Sequence, residues 1–170
     1  DSDSIRIIIT QAAITLNAIL ENAAALHQEM KKIAEMLPEY ETVMNIYGVG
    51  DKTGPQLMAE IGDTRRFHSR RAITAYFGYD SENDDSGLRI SKSNPITKKG
   101  SSALRRTLFT IMLTLIQNQP EDNPVYQFLD KKRSEGKHYY VYTVAGSAKF
   151  LQVYYARVTE FLRSQPSSDA

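Results

Sequence analysis

The 170-residue sequence contains no cysteine, which excludes disulfides and thiolate metal sites. That absence fits a reducing cytoplasm. The three histidines, His27, His68 and His138, have none of the spacings of a metal site. No apolar run reads as a membrane span; the longest, around Thr107–Ile116, is interrupted by threonines and suits a buried helix better. The first residues are polar and acidic, unlike a secretory signal, and the chain opens in mid-pattern, as a fragment would. Strand-like alternation and internal repeats are both missing. These absences set aside disulfide scaffolds, zinc modules and membrane-embedded proteins, and they leave an all-α chain whose hydrophobic content of 41% can build a core.

Charge is plentiful but uneven. The net charge is only +1, yet residues 1–63 hold four Lys/Arg against ten Asp/Glu, and residues 64–106 hold ten against four. Residues 107–170 hold seven against six. A central basic block between less basic flanks is the electrostatic footprint of a phosphate-binding surface, although a solvated charged face produces the same pattern.

Residues 5–37 read as one long helix. Ile5, Ile9, Ala12, Leu16, Ile19, Ala23, Leu26, Met30, Ile33 and Leu37 recur at alternating steps of three and four, a heptad seam that Pro38 stops. Residues 1–38 are therefore expected to form a coiled-coil arm that pairs two chains as a homodimer, or else folds back on its own domain. Residues 39–165 are expected to form a compact helical domain, and 166–170 a polar tail. Within the domain the expected helices are 39–46, 53–61, 69–77, one capped by Ser101 or Ser102 and running to Asn118, 125–135, and 140–163. Residues 79–97, rich in Ser, Asp, Asn and Gly, read as a long loop of the kind that carries function.

Between the first two of those helices lies Tyr47-Gly48-Val49-Gly50-Asp51-Lys52-Thr53. Two glycines let a backbone turn where a Cβ would obstruct and approach a phosphate closely. The next helix starts near Thr53, so its N–H groups and positive dipole end face the same place, and Lys52 adds a charge. The segment Ile46–Gly62 resembles a helix–hairpin–helix motif, with Ile46, Val49, Leu57 and Ile61 packing it. Such a motif holds a nucleic-acid backbone without reading sequence. Arg65, Arg66, Arg70 and Arg71 follow directly and strengthen a phosphate contact.

Further on come Ala75-Tyr76-Phe77-Gly78, then Asp84-Asp85-Ser86-Gly87, then Ile96-Thr97-Lys98-Lys99-Gly100, then Leu104-Arg105. In order and spacing this resembles the C-terminal domain of the insertion-sequence transposase family that also includes Piv-type DNA invertases. The shared features are an aromatic-glycine helix end, a Ser-Gly loop, and an Ile-Ser/Thr-Lys-Lys/Arg-Gly turn leading to a Leu-Arg helix. The likeness is close over Tyr47–Gln117 and looser on either side.

The resemblance implies a DNA transposase or site-specific recombinase, with Ser86 as the nucleophile that attacks a DNA phosphodiester. It also implies a RuvC-like acidic domain, absent from this chain, that binds a divalent metal such as magnesium; the chain itself is expected to hold no metal or other cofactor. DNA is the implied partner, and a structured guide RNA is a second one in some members. Arg89, Lys92, Lys98, Lys99 and Arg105 lie where they could offset the charge of a reacting phosphate. Asp84 and Asp85 would repel it unless they point away or meet a metal. Ser81, Ser91 and Ser93 are alternative hydroxyls in the same loop. A non-enzymatic DNA-binding and dimerisation module built on the hairpin is the competing reading. The tyrosines 139, 140, 142, 154 and 155 could stack on bases, but at helical spacing they suit a core or an interface. Lys131, Lys132 and Arg133 fit backbone contact and solvent equally well.

Overall fold

A computed structural model describes residues 2–79 and 96–165. The described chain is all-α: α1 (Ser2–Glu35), α2 (Tyr40–Met44), α3 (Thr53–Ile61), a 3-10 turn (Thr64–Arg66), α4 (Arg70–Tyr76), α5 (Ser102–Asn118), α6 (Pro124–Ser134) and α7 (Tyr139–Ser164). The only extended pairing among these residues is an isolated bridge at Ile96.

Local chemistry sets most boundaries. Ser69 Oγ accepts the Ala72 N–H at 3.1 Å, and Ser101 Oγ accepts the Leu104 N–H at 3.1 Å. Asn123 Oδ1 accepts from both Val125 and Tyr126, with Pro124 opening the helix behind it. Each such cap stabilises by about 1 kcal/mol. Gly62 and Gly136, both with positive φ, close α3 and α6. The unexpected 3-10 turn begins at Asp63, whose carboxylate accepts the Arg65 N–H at 2.8 Å.

Helix α7 is the spine. Its buried side is Tyr142, Thr143, Ser147, Phe150, Leu151, Tyr154, Tyr155, Val158 and Thr159, and α2, α4, α5, α6 and the 3-10 turn pack on it. Two buried hydrogen bonds tie the α3–α4 connection to this spine: Thr159 Oγ1 to Thr64 Oγ1 at 3.1 Å, and Tyr155 Oη donating to the Phe67 carbonyl at 2.9 Å. Tyr142, Tyr154 and Tyr155 are thus core residues, while Tyr140 is exposed. Helix α5 contributes Leu104, Leu108, Ile111, Met112 and Leu115, and α3 packs along it.

Helix α1 stops at Glu35, before Pro38. It meets the body through α3 along its last turns, with His27, Met30, Lys31 and Ala34 facing inward. The heptad residues do not make that contact as a set: Leu26 and Ile33 remain 68% and 58% exposed. Upstream, Ile5, Ile9, Leu16 and Ile19 are all exposed in the single chain. One sequence expectation needs correction here: α1 is long and apolar enough to cross a membrane by length and composition, because its Thr, Gln and Asn residues dilute an apolar stretch without charging it.

Candidate nucleic-acid interface

The site grows from the hairpin. The short helix α2 ends at Met44, and the chain turns at Gly48, which has φ +89°. A Cβ there would stand 3.0 Å from Ile111 Cγ2, so the backbone conformation favours glycine and a side chain would require Ile111 to give by a few tenths of an ångström. Gly50 departs from expectation: it lies outside the left-handed region, and a Cβ would meet nothing within 4 Å. Its role is hydrogen bonding. The Gly50 N–H donates to Thr53 Oγ1 at 2.9 Å, and the Gly50 carbonyl accepts the Gly54 N–H at 2.8 Å, which starts α3. Ile46, Leu57 and Ile61 are buried beneath, as their spacing suggests. Residues Tyr47–Thr53, with Thr114 and Asn118 of α5, line an open hollow of about 380 Å³.

Asp51 of the hairpin also meets α1. Lys31 Nζ lies 3.0 Å from Asp51 Oδ1, and His27 Nε2 lies 3.2 Å from the Asp51 carbonyl. The hydrogen bond and charge of Asp51 raise the Lys31 pKa. A carboxylate that would repel phosphate is thereby matched with a cation, a partnership too distant in sequence to be read there.

The feet of the segment that carries Ser86 lie beyond the other end of α5. Gly78, φ +73°, closes α4, and a Cβ on it would fall 2.1 Å from the Lys99 carbonyl oxygen. Gly100, φ +103°, would place one 2.6 Å from the Tyr76 carbonyl oxygen. The Lys98 N–H donates to the Gly78 carbonyl at 3.2 Å, with Lys98 itself at φ +55°. The aromatic-glycine and Lys-Lys-Gly motifs are therefore one backbone clamp. Ser86, Arg89 and Lys92, with the alternative serines 81, 91 and 93, lie outside the described residues.

The cations sort into distinct settings. Arg65 is held by Asp63, with Nη2 2.9 Å from Oδ2. Arg66 lies over the rings of Phe67 and Tyr76, 4.6 Å and 4.8 Å from their centroids. Arg70 and Arg71 stand exposed on α4, and Lys98 and Lys99 are exposed at the clamp. Arg105 is half-buried and donates from Nη1 to the Gly100 carbonyl at 3.2 Å, so it braces the clamp. Its neighbour Arg106 was not singled out by the sequence, yet it is exposed and lines a groove between α3 and α5.

Tyr79 is a further residue that pattern did not reveal. Burial raises its phenol pKa, against an opposing hydrogen bond from Ser147 and the charge of Arg105. Lys132 and Arg133 pair with Glu135 and Asp130 at 2.7 Å each, and the Lys132 hydrogen bond lowers the Glu135 pKa. Among the described residues no group of three His, Asp or Glu side chains could hold a metal ion.

Comparison with known proteins assigns the chain to a family. The family model described as Transposase IS116/IS110/IS902 family matches residues 40–127, from α2 into α6. The pilin gene-inverting proteins of Moraxella bovis and Moraxella lacunata are each 30% identical over 115 residues, covering 68% of this chain and 35% of theirs. The 43.6 kDa protein of insertion element IS110 from Streptomyces coelicolor is 24% identical over 131 residues, covering 77% of this chain and 31% of its own length. The chain thus spans about a third of the length of these relatives. The matched segment contains the hairpin, the clamp and α5 together, and the chain belongs to the transposase IS116/IS110/IS902 family.

Proposed function

We propose that this chain is the DNA-binding, serine-bearing part of a DNA transposase or site-specific recombinase, in which the Ser86 hydroxyl gives up its proton and attacks a DNA phosphodiester, forming a phosphoseryl ester as a deoxyribose oxygen leaves and takes up a proton. The carrying observation is the Gly78–Gly100 clamp inside the family-matched segment, which joins both ends of the Ser86 segment beside Lys98 and Lys99 and is braced by Arg105. A serine hydroxyl is a weak nucleophile at neutral pH and needs a proton acceptor and charge stabilisation. The exposed Lys98 and Lys99 suit the second need. For the first, the resemblance points to magnesium on a RuvC-like domain of the whole protein; among the described residues no group of His, Asp or Glu side chains fits a metal.

The hairpin serves in this reading as a helix–hairpin–helix that holds DNA backbone through its turn, Lys52 and Thr53. The exposed apolar side of α1 from Ile5 to Leu26 supports a homodimer paired through the arm, and a guide RNA is a second partner consistent with the family.

The test uses the whole recombinase that carries this chain. Ser86→Ala should abolish strand joining and the denaturation-resistant protein–DNA adduct while leaving DNA affinity nearly intact. Recombination unchanged in that variant removes the catalytic assignment. The hairpin geometry alone also supports a non-enzymatic DNA-binding module, which predicts no adduct for the wild type either.

A further inference from the structure

The groove between α3 and α5 has a volume of about 680 Å³ and is lined by Lys52, Thr53, Gln56 and Glu60 on one wall and by Ser102, Arg106, Thr107 and Thr110 on the other, with Met30 of α1 at its rim. The two helices run antiparallel: Thr107 Oγ1 donates to Gln56 Oε1 at 3.2 Å midway, and the groove's lining takes the N-terminal end of α3 toward Thr110. One end of the groove therefore opens at the hairpin hollow and the other at Ser102, two residues beyond Gly100 of the clamp. From Ser102 to Thr114 the path is roughly 18 Å at the rise of an α-helix.

We propose that this groove carries the sugar–phosphate backbone of one DNA strand from the hairpin to the clamp, with Arg106 and Lys52 as its phosphate contacts. The inference rests on the DNA-binding reading and adds the path between its two ends. Charge and chemistry select the occupant. Lys52 and Arg106 are exposed, and among the described residues neither is in an ion pair. The hydroxyls of Thr53, Ser102 and Thr110 offer further donors along the walls. Glu60 opposes an anion and sits toward the clamp end, so its charge weakens the contact there. Arg105 takes no part, because its guanidinium is already directed back to Gly100.

The experiment measures binding of the chain to a fluorescent 20-base-pair DNA duplex across a salt series. Each phosphate contact contributes about 0.9 to the slope of log affinity against log salt. Arg106→Gln and Lys52→Ala should each lower the slope by about one unit and weaken binding about fivefold or more near 0.1 M salt. Arg106→Lys should retain the slope, and Glu60→Gln should tighten binding. Arg105→Ala should leave the slope unaltered while lowering thermal stability. Because Glu60→Gln has the opposite sign, a general loss of folding cannot imitate the whole pattern. If the wild type binds with a clear salt slope that Lys52→Ala lowers and Arg106→Gln leaves unchanged, the groove assignment falls and the hairpin contact stands; if neither variant lowers it, both fall. Equal slope losses for Arg105→Ala and Arg106→Gln also overturn the assignment. A wild type that shows no salt-dependent binding overturns both.

Discussion

Helix α5 meets a glycine turn toward each of its ends, and the two are built differently. Toward its C-terminal end, Gly48 rests on a side chain, that of Ile111. Before its N-terminal end, Gly78 and Gly100 rest on backbone, against the carbonyls of Lys99 and Tyr76. A side chain can rotate to relieve a close contact, whereas two backbone segments joined by a hydrogen bond cannot part without dismantling the turn. The hairpin is therefore a tolerant feature and the clamp an intolerant one. That division matches what each is asked to do in the proposed reaction. Holding a phosphate survives a few tenths of an ångström of shift, whereas aligning a reacting hydroxyl does not.

Substituting the glycines would break the comparison or sharpen it. Gly78→Ala has the largest expected effect, because strain at positive φ adds to an unavoidable collision with backbone. The loss should be about 3 kcal/mol or more, a fall in Tm of roughly 6–12 °C for a chain of this length. Gly100→Ala should approach it. Thermal unfolding followed by circular dichroism checks both, and a Tm near that of the wild type for either would mean that the clamp yields. Gly48→Ala should cost less, about 1–2 kcal/mol, since Ile111 can give way and only the backbone strain persists. Gly50→Ala should be neutral or stabilising by up to about 1 kcal/mol, through lower entropy of the unfolded chain. If Gly48→Ala and Gly50→Ala are equally harmful, the hairpin is as rigid as the clamp.

Much of this architecture was legible because helices punctuate themselves locally. Ser69, Ser101, Asn123-Pro124, Gly62 and Gly136 act on neighbours a few residues away, and the boundaries they predict agree with α3 through α6 within a residue or two. The 3-10 turn at Thr64–Arg66 was missed because Thr159, ninety-five positions later, helps to hold it. For the same reason the glycine pattern revealed both halves of the clamp but not that they touch.

Arg105 and Arg106 illustrate the harder limit. Adjacent residues on a helix point about 100° apart, and only the packing of α5 against α3 and the clamp decides which one faces the groove. The sequence favoured Arg105 by its motif, and the geometry assigns that residue to bracing. The expectation for Gly50 needs correction only in its conformation: a Gly-x-Gly pattern cannot show that the second glycine lies outside the left-handed region with open space around it.

The smallest expected effect lies in the link between the two ends, where Asp63 starts the turn that joins the hairpin to α4. The Arg65 side-chain hydrogen bond, and beside it the Arg65 N–H and the charges of Arg65 and Arg66, outweigh partial burial and hold the Asp63 carboxyl below its ordinary value of 3.8. A depressed folded-state pKa contributes stability that is present above that value and is lost as the pH falls through the folded-state pKa. Asp63→Asn should accordingly be slightly less stable than the wild type at pH 6, and the gap should narrow as the pH falls below 3.8, as read from denaturant midpoints. The gap is small because both side chains are about half exposed, 62% for Arg65 and 48% for Asp63. A gap that persists or widens in acid would show that the pair does not hold the turn in solution. The same variant sharpens the comparison from the DNA side, since removing the Asp63 charge unmasks Arg65 within the basic block. Its salt slope for DNA should then rise or stay level, and a fall would mean that Arg65 needs Asp63 to present it.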